Sequence, residues 1–189
     1  PGATGLPVPG HHVAIIDAAG QPLAPGAVGQ IAVRRPDPVM FLGYWQNEEA
    51  TGKKFVGDWM TTGDQGVADE GGFVHFFGRD DDVITSAGYR IGPGEIEDCL
   101  TGHPAVALAA AVGKPDALRT EIVKAYVVLK DGVERSAALA DEIRLWVRER
   151  LSAHEYPREV EFVDSMPLTT TGKVIRRIFR DRARREAGL

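Results

Sequence analysis

The 189 residues carry a formal charge of −5, 43% hydrophobic residues and a single cysteine, Cys99. This length allows one or two compact domains, the acidic balance argues against a general nucleic-acid binder, and one cysteine excludes an internal disulfide framework and fits a reducing, cytoplasmic compartment. No apolar run approaches the roughly 18 residues of a membrane span and no signal peptide is visible. The start at Pro1-Gly2-Ala3, without Met, reads as the interior of a longer protein.

The first stretch is strand-rich. Residues 12–17 and 30–34 read as short strands, separated by Ala18-Ala19-Gly20-Gln21-Pro22 and Ala24-Pro25-Gly26, which carry turn chemistry. Residues 59–68 and 73–77 read as a hairpin across Asp69-Glu70-Gly71-Gly72. Short strands at even spacing predict a small antiparallel, barrel-like sheet. Beyond Asp80 the pattern changes. Pro93 suits a first helical position, and Glu95, Ile96, Cys99 and Leu100 follow at helical spacing until His103-Pro104. Residues 105–112 and 121–129 read as strands. Residues 136–151 form the clearest helix, with Ser136 as cap and Leu139, Ile143, Trp146 and Val147 as its apolar stripe. A strand over 159–163 and an arginine-rich helix over 174–186 complete the chain. The fold class is therefore α+β: a β-rich subdomain over 1–80, then an α+β domain over 81–189 with a short sheet packed by helices. The boundary falls within Arg79–Asp82, a charged motif, which suggests a functional hinge.

Chemistry-bearing residues concentrate in a few places. Thr169-Thr170-Thr171-Gly172-Lys173, preceded by Pro167 and followed by Arg176 and Arg177, sets a lysine at the tip of a glycine-containing loop. Such an ammonium is a mobile point charge with three donors, suited to a phosphate or a developing oxyanion. Asp64, after Thr61-Thr62-Gly63, can accept hydrogen bonds from vicinal ribose hydroxyls, or can cap its own turn. Arg79 either pairs with Asp80, Asp81 and Asp82 or reaches a nucleotide. Those three carboxylates lack the spacing of an oxygen-ligand loop and read as a solvated turn rather than a metal site. In Ser86-Ala87-Gly88-Tyr89-Arg90, Gly88 either lets a ligand chain pass close to the backbone or supplies a positive φ in a bulge. Lys173, Arg176, Arg177, Arg180 and Arg184 recur at helical spacing, which reads as a solvated face. Cys99 reads as a packing residue.

In combination these motifs resemble the C-terminal part of acyl-CoA synthetases, within the superfamily that forms acyl-adenylates. Gly43-Tyr44-Trp45 with Ala50-Thr51, then Trp59 to Asp64, Gly78-Arg79 to Glu97, and Pro167 to Arg177 stand in that family's order. The stretches Ser86 to Pro93 and Glu155 to Glu159 are most similar to the short- and medium-chain branch. The resemblance implies two half-reactions: a carboxylate attacks the α-phosphate of ATP, giving acyl-adenylate and pyrophosphate, and CoA thiolate then displaces AMP.

The resemblance also implies roles for individual residues. Asp64 would hold the ribose hydroxyls with Arg79 beside it, and Arg90 would lie near the nucleotide phosphate. Asp81 would be the hinge about which the small domain swings between half-reactions, and Lys173 would contact the carboxylate and α-phosphate oxygens. Ala87, Gly88 and Tyr89 would line the pantetheine path, while Arg119, Arg148 and Tyr156 would meet the CoA nucleotide. The phosphate loop, the acyl pocket and the acid that helps hold Mg²⁺ would lie upstream, in the remainder of the large domain. The present chain is therefore not expected to complete the reaction alone. A related enzyme class loads a carrier protein instead of CoA; no carrier domain follows Lys173 in this sequence, which favours free CoA. An interaction module using the arginine helix is the rival from another class.

Overall fold

The computed structural model describes residues 2–189. They fall into two compact units, one ending at Asp81 and the other running from Asp82 to Leu189.

In the first unit a single sheet is organised around one long strand. It contains β1 (Val13–Ile16), β2 (Gly29–Arg34), β3 (Phe55–Val56), β4 (Trp59–Ala68) and β5 (Val74–Arg79), with a short helix, α1 (Glu48–Gly52), before β3. All pairings are antiparallel. β2 runs along one edge of β4, while β3 and β5 share the other: Phe55 opposes Met60, and Asp64 opposes Arg79. Register shifts at Gln30/Ala32 and Gln65/Gly66 bend β4; such bulges increase local twist and curl a sheet. Ile15, Ile16, Ala32 and Val74 are its buried apolar residues. The hairpin from β4 to β5 matches the sequence reading. α1 does not appear in that reading; Asn47 nucleates it by accepting a hydrogen bond from the Ala50 amide at 2.9 Å.

The second unit holds β6 (Ile84–Ser86), β7 (Tyr89–Ile91), α2 (Pro93–Thr101), β8 (Val106–Asp116), β9 (Thr120–Leu129), α3 (Ala137–Arg148), β10 (Glu159–Phe162) and α4 (Arg176–Glu186). β9 is central. β8 pairs with it antiparallel along its whole length, β10 pairs parallel to its second half, and β6 meets its first residue through Ser86 and Thr120. Side chains alternate across the two long strands. Ala109, Ala111, Val123, Ala125 and Val127 meet Ile96 and Leu100 of α2 and Ile143 and Val147 of α3. Ala110, Val112 and Tyr126 meet Phe179 and Ala183 of α4. Both faces are covered, so β8 and β9 read as nearly continuous apolar runs. Each fully buried Leu or Ile contributes about 1.5–3 kcal/mol by leaving water. Pro115 is tolerated because β8 is an edge strand.

α4 begins at Arg176 rather than at 174, because Val174 is held in a bridge with Leu168. Its far end is fixed by charge. Lys124, buried on β9, lies 2.8 Å from Glu161 on β10 and also bonds Glu186 of α4. Burial alone would pull the Lys124 ammonium's pKa down, but the hydrogen bonds to Glu161 and Glu186 outweigh it and hold the pKa above the ordinary value. Phe179 stacks on Tyr126 with ring centroids 4.3 Å apart. α3 starts as expected, with Ser136 Oγ accepting from the Leu139 amide at 3.1 Å. Cys99 packs against the α2–α3 core, and burial pushes its thiol pKa up, as suits a packing residue rather than a nucleophile.

Candidate functional site

In the first unit Asp64 and Arg79 face one another across β4 and β5. The Arg79 guanidinium donates to Asp64 Oδ1 at 3.0 Å, and its Nε lies 3.7 Å from Asp81. The Asp64 amide donates to Thr62 Oγ1 at 3.1 Å. Asp64 also borders a hollow of about 260 Å³ lined by Thr4, Gly5, Ile31, Thr62 and Phe76. One carboxylate oxygen of Asp64 is engaged by the arginine, and about a third of the side chain is exposed.

The run Asp80-Asp81-Asp82 is not one acidic cluster. Asp80 accepts from the side-chain amides of Gln65 and Gln30, the latter at 3.1 Å, and its own amide donates to the Gly63 carbonyl at 2.9 Å. Asp81 pairs with Arg79. Asp82 turns into the second unit and pairs with Arg180 at 2.8 Å and Arg176 at 3.3 Å. The sequence reading of a solvated acidic turn therefore fails for Asp82, whose side chain is 12% exposed. The reading of Lys173, Arg176, Arg177, Arg180 and Arg184 as a solvated face fails for Arg176 and Arg180, which pair with Asp82, while Lys173, Arg177 and Arg184 are exposed as expected. Among the described residues no group of three or more His, Cys, Asp or Glu could hold a metal ion.

Ala87 and Gly88 form the two-residue turn between β6 and β7, with φ of +50° and +85° and Ser86 opposite Tyr89. Two successive positive φ values over a two-residue loop make a hairpin turn, so the positive φ of Gly88 serves a turn rather than the bulge that is one of its two readings. The Ala87 amide donates to the Arg119 carbonyl at 2.9 Å, which joins this tip to the β8–β9 turn. Glu121 braces the hairpin by accepting from the Thr85 amide at 2.8 Å. Arg90 stands on β7 opposite Thr85, exposed.

Tyr89 stacks on His154, a residue the sequence reading missed although it lies two positions before Tyr156. The guanidiniums of Arg148 and Arg158 lie 5.7 and 4.3 Å from the centre of the Tyr156 ring. The structure thus joins Ala87 to Arg119 through backbone, and Arg148 to Tyr156 through a cation–ring contact. His154 connects the hairpin to the segment that carries Tyr156.

Lys173 lies elsewhere in the second unit. The Thr169 amide donates to the Lys173 carbonyl at 2.7 Å, the Gly172 amide to the Thr169 carbonyl at 2.9 Å, and the Lys173 amide to Thr169 Oγ1 at 3.0 Å. The Ile175 amide then donates to the Pro167 carbonyl at 2.9 Å. The backbone is fixed while the side chain is exposed, and among the described residues its ammonium has no acidic partner. Lys124 offers the contrast of a lysine consumed by structure. No helix is long and apolar enough to cross a membrane, among the described residues.

Residues 95–173 match the family model described as "AMP-binding enzyme C-terminal domain". The chain is 44% identical over 181 residues to acetyl-coenzyme A synthetase of Bacillus subtilis (strain 168), covering 95% of this chain and 32% of that protein. It is 43% identical over 185 residues to the Homo sapiens mitochondrial acyl-coenzyme A synthetase ACSM1, with the same two coverages. The solved structure of ATP-bound MatB from Rhodopseudomonas palustris superposes with a TM-score of 0.82 at 34% identity, over 96% of this chain and 36% of that one. The chain spans about a third of the length of the curated relatives it matches.

Proposed function

We propose that this chain serves an AMP-forming acid–thiol ligase, since residues 95–173 match the AMP-binding enzyme C-terminal domain model and the relatives it resembles include acyl-CoA synthetases. The overall reaction is carboxylate plus ATP plus CoA to acyl-CoA, AMP and pyrophosphate, through an acyl-adenylate. One observation carries this reading: among the described residues the Lys173 ammonium has no acidic partner, on a loop whose backbone is fixed. A preorganised cation aimed where charge develops in the transition state is worth roughly 3–4 kcal/mol, or a rate factor of about a hundred to a thousand.

In this reading Lys173 meets the carboxylate and α-phosphate oxygens during adenylation. Asp64 accepts from the ribose hydroxyls with its unpaired oxygen, Arg79 orients Asp64, and Arg90 faces the nucleotide phosphate. Ala87, Gly88 and Tyr89 border the path of the pantetheine arm, while Arg119, Arg148 and Tyr156 meet the CoA nucleotide. These two sets stand on different segments, so one placement of the second unit need not serve both half-reactions, and a swing about Asp81 resolves that. Support for the pivot comes from its neighbours: Asp80 is bonded into the first unit and Asp82 into the second. Mg²⁺ accompanies ATP in this reading, and among the described residues no group of three or more His, Cys, Asp or Glu stands to hold it. A cytoplasmic location is part of the same reading and rests on the lone Cys99.

The test is Lys173→Ala in the intact enzyme. Acid-dependent pyrophosphate exchange should fall about a hundred- to a thousandfold, while conversion of supplied acyl-adenylate by CoA stays near the unmodified rate. Equal loss in both assays would remove Lys173 from the adenylation step.

A further inference from the structure

Four charged side chains outside the set named above meet inside the second unit. Arg176 donates from Nε to Glu97 Oε1 at 2.7 Å and from Nη2 to Glu97 Oε2, a two-pronged pair, and its Nη1 reaches Asp82 at 3.3 Å. Arg180 Nη1 donates to the other Asp82 oxygen at 2.8 Å. Glu97 Oε1 also accepts from the Ala111 amide at 3.0 Å, so the cluster is pinned to β8. The side chains of Asp82 and Glu97 are each 12% exposed, Arg180 15% and Arg176 24%.

The places these residues occupy in the chain are what matter. Asp82 directly follows Asp81. Arg176 opens α4 three residues after Lys173, on the segment whose Ile175 amide is tied to Pro167. A buried ion network is no more stabilising than a well-packed apolar contact, because desolvation offsets much of the attraction. Its distinct contribution is direction: the planar guanidinium fork fixes angle as well as distance. An apolar patch at the root of α4 could slide, whereas this network cannot without breaking charge-assisted bonds.

We propose that Asp82, Glu97, Arg176 and Arg180 are positioning residues for adenylation. They make the first residue after the pivot and the root of the Lys173 loop one rigid lever, so that rotation at Asp81 is delivered undiminished to the Lys173 ammonium. This rests on the role of Lys173 proposed above. The hairpin tip at Ala87–Gly88 joins Asp82 through β6 and is braced separately by Glu121, so loosening α4 leaves it in place. A misplacement of about 1 Å at a reacting group can cost about a hundredfold in rate.

The experiment compares Asp82→Asn, Arg180→Lys and, as reference, Lys173→Ala in the intact enzyme, measuring pyrophosphate exchange and thioester formation from supplied acyl-adenylate. Asp82→Asn keeps the shape and removes the charge; Arg180→Lys keeps the charge and removes the fork, and decides the matter if the first variant fails to fold. The expected result is an adenylation kcat lowered about ten- to a hundredfold by Asp82→Asn, and less by Arg180→Lys. The KM for ATP and the thioester rate should both stay within about twofold of the unmodified enzyme, a margin small against that loss. The lever is overturned if both variants adenylate normally while Lys173→Ala does not, or if both half-reactions fall by the same factor. If Lys173→Ala itself adenylates normally, the role of Lys173 falls, and the lever with it.

Discussion

Tyr89 and His154 stack with ring centroids 4.1 Å apart and planes inclined by 12°. Tyr89 closes the hairpin and is half exposed, so without a partner its ring would sample several rotamers. An aromatic pair of this kind is worth about 0.5–1.5 kcal/mol beyond its buried area, which corresponds to roughly a two- to tenfold change in an affinity that depends on the ring's placement. His154→Ala should therefore raise the KM for CoA severalfold in the thioester half-reaction and leave pyrophosphate exchange unchanged. His154→Phe should restore the KM. An unchanged KM in the alanine variant would show that Tyr89 needs no help from its neighbour.

The turn beneath that ring makes a separate prediction. Gly88 has φ of +85° and nothing within 4 Å of where a Cβ would stand, so a side chain there meets strain and no clash. Left-handed backbone costs a non-glycine residue about 1–2 kcal/mol. Gly88→Val should lower the unfolding free energy by about that amount in urea titrations. Ala87 already bears part of this strain at φ +50°. Ala87→Asn should recover a few tenths of a kcal/mol, since asparagine tolerates the left-handed region better. Equal stability of the valine variant would mean that the turn rearranges freely.

The hairpin also shows where the sequence stops being legible. Strands with turn residues at their ends, such as β4 and β5, and a helix with a capping serine and an apolar stripe, such as α3, follow from local chemistry. β6 and β7 have three residues each, and their turn opens on alanine rather than a usual turn residue. Two residues of β3 and five of α1 are too few for any periodicity to register. Among the candidate site residues, Asp64, Arg79 and Lys173 stand out because their neighbours mark loops and strand ends. Their partners are another matter. Glu97 meets Arg176 across 79 positions, and Asp82 meets it across 94. Nothing local to Asp82 separates it from Asp80 and Asp81; only the packing of α4 on the sheet decides which aspartate is buried.

Lys124 and Glu186 set a pH dependence. The hydrogen bond from Lys124 holds the Glu186 carboxyl below the ordinary glutamate range, partly offset by burial. A depressed carboxyl pKa contributes stability that is present above its unfolded value, about 4.3, and is lost as pH falls through the lower folded value. The Lys124 pKa is raised, so its contribution is complete below about 10.4 and is lost only as pH rises through a still higher folded value. The pair should therefore contribute evenly from about pH 5 to 9 and weaken in acid. Urea titrations of Glu186→Gln should show a shallower acid loss than the unmodified chain; an identical acid limb would refute the assignment. Lys124→Met removes the cation that Glu161 and Glu186 share, but Arg182 still pairs with both, so the loss at pH 7 should be that of charge-assisted hydrogen bonds, about 1.5–3 kcal/mol.

The pivot can be tested at its own backbone. Asp80 is bonded to Gln30, Gln65 and Gly63, and Asp82 to Arg176 and Arg180, so the proposed pivot lies between one residue bonded within the first unit and one bonded within the second. Proline at that position fixes φ near −65°, whereas alanine leaves φ free and removes only the carboxylate that pairs with Arg79 at 3.7 Å. Asp81→Pro should slow thioester formation about tenfold or more while pyrophosphate exchange stays within about threefold, the size expected of a restricted gating motion rather than lost chemistry. Asp81→Ala should behave like the unmodified enzyme in both assays. Were the alanine variant as slow as the proline variant, the carboxylate's pairing would be the cause rather than rotation. Were the proline variant unimpaired, the swing would have to occur elsewhere in the chain.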